Sequence, residues 1–207
     1  MKLIITGRSG AQKVLCSASQ GGLVKYLVSI GVSDQRSQRP PYGYTFTRAR
    51  KIRLDFWDID EELETLPGGA KRHGPSKLEI TRLVEWAKGI DMTQEGIFLS
   101  HCAMGVSRST AAAYICLCVA YGPGQEKRAC HEMYMAASYA FPNPWMIQLA
   151  SEILGRDLVT SWKEYRAGEG VPDWDAAWAK YLDGDKMALE RCYEKHLAWK
   201  AQKELDS

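Results

Sequence analysis

Nowhere does the 207-residue chain carry a run approaching the roughly 18 consecutive apolar residues that a membrane-crossing helix needs. Its opening residues, MKLIITGRSGAQ, also lack the long apolar stretch of a secretory leader. Together these absences set the expectation of a cytoplasmic protein with no membrane partner. Net charge is scarce as well. Lys and Arg number 27 against 25 Asp and Glu, and the resulting +2 is too little to argue for bulk binding of nucleic acid. The six cysteines (16, 102, 116, 118, 130 and 192) form no CxxC pair and no Cys/His metal spacing, so neither a metal nor another cofactor is expected. That cysteine usage suits a reducing compartment. No internal repeat or low-complexity segment breaks the chain. With 45% apolar and 25% charged residues, it has the composition and length of one domain with a sizeable core and room for an appendage.

The stretch around which the rest is organised runs from Gly96 to Tyr121, GIFLSHCAMGVSRSTAAAYICLCVAY. It reads as a buried strand over Ile97–Ser100, a tight loop over His101–Arg108, and a helix opening at Ser109. Cys102 and Arg108 flank five residues, among which Ala103, Gly105 and Ser107 are small enough to let the backbone curl. The amides of Ala103, Met104, Gly105, Val106 and Ser107 can then converge on one point, where the positive end of the next helix also acts. An oxyanion fits such a nest, and the planar fork of Arg108 supplies its counter-charge. The same field favours the thiolate of Cys102, the form that attacks. A nucleophilic sulfur at the base of an oxyanion cradle implies phosphate-ester hydrolysis.

Around this stretch the pattern alternates strand and helix. Leu3–Ile5 and Val14–Cys16 read as short strands about a turn, and the apolar run Tyr26–Ile30 as a strand buried on both faces. Residues 33–44 read as an exposed loop. In RARKIRLDFWDID, Ile52, Leu54 and Phe56 share one face and Lys51, Arg53 and Asp55 the other. Arg48, Arg50, Lys51 and Arg53 form a small basic cluster expected to be solvated. A loop over residues 63–75 carries Lys71, Arg72 and His73. Ser76 with Glu79 forms a capping box for a helix whose apolar stripe is Leu78, Leu83, Val84 and Ala87. The helix after Cys102 is apolar nearly all round, and packing is the expected use of Cys116 and Cys118. Asn143 before Pro144 signals another helix start. The pattern predicts an α/β fold, a central mainly parallel sheet flanked by helices over residues 1–157. Residues 158–207, Trp-rich and charged, read as a helical C-terminal extension of two or three helices, docked through Trp174, Trp178 and Trp199.

The motif HCxxGxxRST, matched by His101, Cys102, Gly105, Arg108, Ser109 and Thr110 between a strand and an apolar helix, resembles that of the cysteine-dependent protein tyrosine phosphatases. The likeness is to their compact dual-specificity-like branch and the small bacterial proteins similar to it. The resemblance implies a protein tyrosine phosphatase-like fold and a phosphocysteine intermediate formed without metal. It places a general acid on the loop after the strand ending LDFWDID, where Asp58 is the candidate and Asp60 the alternative. It gives His101 the role of orienting the loop, Ser109 that of hydrogen-bonding the Cys102 sulfur as it departs, and Asn143 that of bracing the phosphate loop. The loop interior lacks the basic residues of phosphoinositide-preferring relatives. The implied partner is therefore a phosphorylated protein side chain, such as phosphotyrosine. A small-molecule or RNA 5′-phosphate, or a phospho-binding scaffold with incidental catalysis, remains the alternative.

Overall fold

Strand β2 (Val24–Gly31) is largely apolar and almost continuously buried, which requires a neighbour on each edge and cover on each face. A computed structural model describing residues 1–32, 39–137 and 140–205 provides both. Strands β1 (Lys2–Gly7), β2, β3 (Arg50–Asp55) and β6 (Ile97–Cys102) form one parallel sheet in the order β1-β6-β2-β3. Leu27, Ile97 and Leu99 point to one face and pack with Ala11 of α1 (Arg8–Cys16). Tyr26, Val28, Ile30 and Phe98, offset by one residue, face the larger core on the other side. That core takes in α2 (Lys77–Ala87), α3 (Arg108–Tyr121), α4 (Glu126–Ala136), α5 (Pro144–Leu154) and α6 (Leu158–Gly168). A mainly parallel α/β sheet flanked by helices is thus the architecture.

Register then fixes where a site can form. Gly7 lies beside Cys102, His101 beside Ser29, and Gly31 beside Asp55. The carboxyl ends of these strands therefore open onto one edge, the place where open parallel sheets bind ligands. Helix α3 is buried along most of its length. Its C-terminal carbonyls are met by Arg156, which donates to Cys118 O (3.0 Å) and Gly122 O (2.8 Å) and pairs with Glu126. Desolvation raises the thiols of Cys116 and Cys118 far above their ordinary range and that of Cys130 to about 12, so these three serve packing.

Several local expectations are corrected. Val14–Cys16 is the last turn of helix α1, not a strand. Ala11, Val14 and Leu15 recur at helical spacing and meet the sheet, and Val14–Cys16 alone is too short to distinguish a strand from a helix. Leu78 is 71% exposed, and Ile80 takes its place in the buried stripe of α2. The 63–75 loop contains a two-stranded hairpin, β4 (Leu63–Thr65) with β5 (Lys71–His73). The basic cluster of β3 is engaged: Arg50 reaches Trp86 O (2.7 Å), Lys51 reaches Tyr44 O (2.9 Å), and Arg53 reaches Ser29 and Asp55. The Ser76–Glu79 capping box and the Asn143 cap on Met146 N (2.9 Å) form as read. Beyond α6 lie α7 (Trp174–Leu182) and α8 (Ala188–Leu205). Trp199 is buried and donates to Glu169 O (2.7 Å). The side chains of Trp174 and Trp178, like residues 33–38 of the expected loop, lie outside the described residues.

Candidate active site

Cys102 ends β6, and its sulfur sits inside the turn that the next residues make. Gly105 N donates to Cys102 Sγ at 3.2 Å, and Ser109 Oγ lies 3.3 Å from the same atom. The turn depends on Gly105, whose φ of +86° suits glycine. A Cβ there would come within 2.3 Å of Thr6 C and 2.4 Å of Gly7 N. The end of β1 thus forms the outer wall of the loop, tied by Arg8 N to Ala103 O (3.0 Å). The sequence carries a signal for this wall in Thr6-Gly7-Arg8, a small residue where two backbones approach, beyond the turn that a glycine there implies.

The remaining braces come from α3 and from the segment before α5. Thr110 Oγ1 donates to Val106 O (2.6 Å), with Ser107 O also in reach (2.7 Å), and Ser100 Oγ donates to Ser109 O (2.8 Å). Phe141 N donates to Val106 O (2.9 Å). Ser107 occupies the N-cap position of α3 but caps none of its amides. Its hydroxyl donates instead to Asp58 Oδ1 at 2.7 Å. The first-turn N–H groups of α3 therefore have no side-chain cap competing with an anion.

Asp58 reaches this loop from the end of β3. Besides Ser107, its Oδ1 accepts from Asn143 Nδ2 (3.1 Å), and its Oδ2 lies 3.6 Å from Arg108 Nε. Asn143 Nδ2 also approaches Ile59 O and Asp60 Oδ1, each at 3.2 Å, so one amide gathers the whole Asp58–Asp60 turn. Buried Arg108 donates from Nη1 to Phe56 O (2.8 Å), which orients the guanidinium toward the turn. Asp55 instead pairs with Arg53 on the strand. His101 is buried beside Cys102, with Nδ1 3.4 Å from Cys102 O and Nε2 unpartnered among the described residues. Burial lowers its pKa to about 4, so at neutral pH the imidazole is uncharged. Met104 stands 80% exposed on the loop's outer lip.

Neither a known family description nor a curated protein matches the sequence. Solved structures do. The human tyrosine phosphatase-like serine/threonine/tyrosine-interacting protein matches with a TM-score of 0.53 and 16% identity, over 74% of this chain and 91% of that one. The chain has the fold of the cysteine-dependent protein tyrosine phosphatase superfamily. Human DUSP28 (TM-score 0.48, 16% identity) and the Yvh1 phosphatase domain from Chaetomium thermophilum (0.46, 19%) are also similar, each over 74% of this chain and 91% of that chain. In this phosphatase fold the residues singled out from sequence converge. Cys102, Arg108, Ser109 and His101 come from one strand–loop–helix unit, and Asp58 and Asn143 reach it from two other segments. Among the described residues no group of His, Cys, Asp or Glu is arranged to hold a metal ion, and no helix is long and apolar enough to cross a membrane. Ser107 was read only as part of the cradle. Its bond to Asp58 spans 49 positions, and no local pattern announces it.

Proposed function

We propose that the chain is a phosphomonoester hydrolase acting on phosphotyrosine or other phosphorylated protein side chains through a phosphocysteine. The observation that carries this reading is the Cys102 sulfur, held by Gly105 N and Ser109 Oγ inside a loop that Arg108 and Asp58 both reach. Substrate phosphate sits on the loop amides from Ala103 to Ser107, with Arg108 gripping two of its oxygens. The Cys102 thiolate forms a bond to phosphorus as the bond from phosphorus to the ester oxygen breaks. The leaving oxygen takes a proton from the carboxylic acid of Asp58. Water then attacks phosphorus and gives a proton to the Asp58 carboxylate. The bond from sulfur to phosphorus breaks, and the Ser109 hydroxyl stabilises the returning thiolate. Asn143 and Ser107 hold the acid's turn against the loop, and residues 1–157 form the catalytic unit to which 158–207 is an extension.

A binding-only role needs no nucleophile, and the Cys102–Ser109 contact speaks for turnover. Cys102→Ser is expected to abolish hydrolysis of p-nitrophenyl phosphate, while chelators leave the wild type unaffected. Wild-type turnover in that variant, or loss of activity with a chelator, overturns the proposal.

A further inference from the structure

Helices α7 and α8 enclose a cavity of about 210 Å³ that the chemistry above does not use, lined in part by Asp173, Lys180, Arg191, Cys192 and Lys195. Part of its lining is apolar, from Ala176, Ala177, Ala188 and Cys192. Ala177 and Cys192 are buried there and pack with Phe141, Leu189 and Tyr193. Phe141 is the residue whose amide holds Val106 of the phosphate loop (2.9 Å). Phe141 therefore links the apolar cluster of this groove to the backbone that would carry the phosphate.

The lip of the groove carries excess positive charge. Asp173 is already engaged, pairing with Arg166 (3.0 Å) and capping Ala176 N (3.2 Å), and Arg191 is met by Asp185. Lys180 and Lys195 line the groove without an acidic partner among the described residues. The phosphate loop itself offers no cation besides Arg108. Positive charge that selects a substrate by its flanking sequence would therefore come from outside the loop, and Phe141 joins the apolar contacts of this groove to it.

We propose that the α7–α8 groove docks an acidic stretch flanking the phosphorylated residue of a protein substrate, with Lys180 and Lys195 as its specificity-determining cations. The proposal rests on the phosphatase reading for the phosphate end of that substrate. Its own content is the choice among phosphoproteins. Both lysines are solvent-facing, so each contact is modest and salt-dependent, and together they change affinity about five- to tenfold. Electrostatic complementarity of this kind selects partners and speeds encounter more than it tightens binding.

The test compares wild type with Lys180→Glu/Lys195→Glu and with Lys180→Gln/Lys195→Gln. Binding is measured with Cys102→Ser added to all three chains, so that the phosphate is held and not hydrolysed. The probes are a phosphotyrosine peptide flanked by glutamates and the same peptide with glutamines in their place. Hydrolysis of p-nitrophenyl phosphate is measured in parallel with Cys102 intact. Wild type is expected to bind the glutamate peptide about five- to tenfold tighter than the glutamine peptide. The preference should shrink in the glutamine variant, vanish or reverse in the glutamate variant, and fade as salt is raised. Hydrolysis of the small substrate should be unchanged in both. Equal binding of the two peptides by wild type, or a preference that survives both variants, overturns the groove assignment. Should the charge-reversed variant fail to fold, the glutamine variant decides alone. If wild type leaves p-nitrophenyl phosphate intact, the phosphatase reading falls, while the peptide binding still decides the groove.

Discussion

Asp58 accepts from Ser107 and Asn143 and lies beside Arg108, so its turn is tied to the phosphate loop by three side chains from two segments. If it is the general acid, Asp58→Asn should lower kcat by ~10²–10⁴ for an ester with a poor leaving group. With p-nitrophenyl phosphate the loss should be small, because nitrophenolate departs without a proton. The alkaline limb of the pH–rate profile should flatten in this variant and persist in Asp60→Asn. The opposite pattern would move the acid two residues along. Cys102, Arg108 and Ser109 were legible in the sequence because they lie within one short motif, and Asn143 was legible as a cap because capping is local. The second task of Asn143, gathering residues 85 positions away, was not legible, since it depends on how α5 sits against the end of β3.

Two buried histidines give the protein an acid-side liability. Desolvation is the main cause that lowers His101 and His196 to about 4, and both ring nitrogens of His196 are buried without a partner among the described residues. The unfolded chain takes up these protons near pH 6.5 and the folded chain only near pH 4. Their contribution to stability is thus fully present above about pH 6.5 and is lost as pH falls through that window toward 4, by about 1–3 kcal/mol for each histidine. Urea unfolding at about pH 7.5 and pH 5 should show this fall. His196→Phe, which removes buried polar atoms beside Trp199, should reduce the pH dependence without lowering stability at neutral pH. A pH slope unchanged in that variant would count against the assignment.

At the scale of elements, the phosphate loop and the end of β1 form one unit, and Gly105 is where they meet. Gly105→Ala introduces a strained φ and a Cβ 2.3 Å from backbone, so either the loop or β1 must move. An ångström of misplacement is worth about 10² in rate, so kcat for p-nitrophenyl phosphate should fall at least about that far, alongside a lowered Tm. Near-normal kcat would show that the loop does not need this geometry. The β2, β3 and β6 strands and the α3 helix were readable because each carries a long apolar run or a clear alternation. Helix α1 was misread because three apolar-containing positions cannot distinguish periods of 2 and 3.6, and its decisive neighbour Ala11 lies one turn earlier. The β4–β5 hairpin is not legible in the sequence because each strand has only three residues, with no apolar alternation, joined through a turn containing Gly68 and Gly69.

Taken as a whole, the molecule joins its C-terminal helices to the main core. Leu158, Trp162 and Tyr165 belong to the same buried cluster as α3 and α4, Tyr114 OH donates to Leu158 O (3.1 Å), and Trp162 Nε1 donates to Tyr134 OH (2.9 Å). Trp162→Ala should therefore cost about 3–5 kcal/mol, a large part of a typical domain's stability, read as a lowered urea midpoint. Hydrolysis of p-nitrophenyl phosphate well below the new Tm should be little changed, because none of these side chains touches the phosphate loop. Stability equal to wild type would show that α6 is only loosely attached. The central claim for the whole protein is that one sulfur carries the phosphoryl group. It is tested most directly by quenching the Ser109→Ala variant in acid during turnover of p-nitrophenyl phosphate and mapping the phosphoryl group by mass spectrometry. With departure of the sulfur slowed, the phosphoryl adduct is expected on Cys102 and to disappear on longer incubation. Continued turnover with no adduct on Cys102, or an adduct on another side chain, would contradict the mechanism.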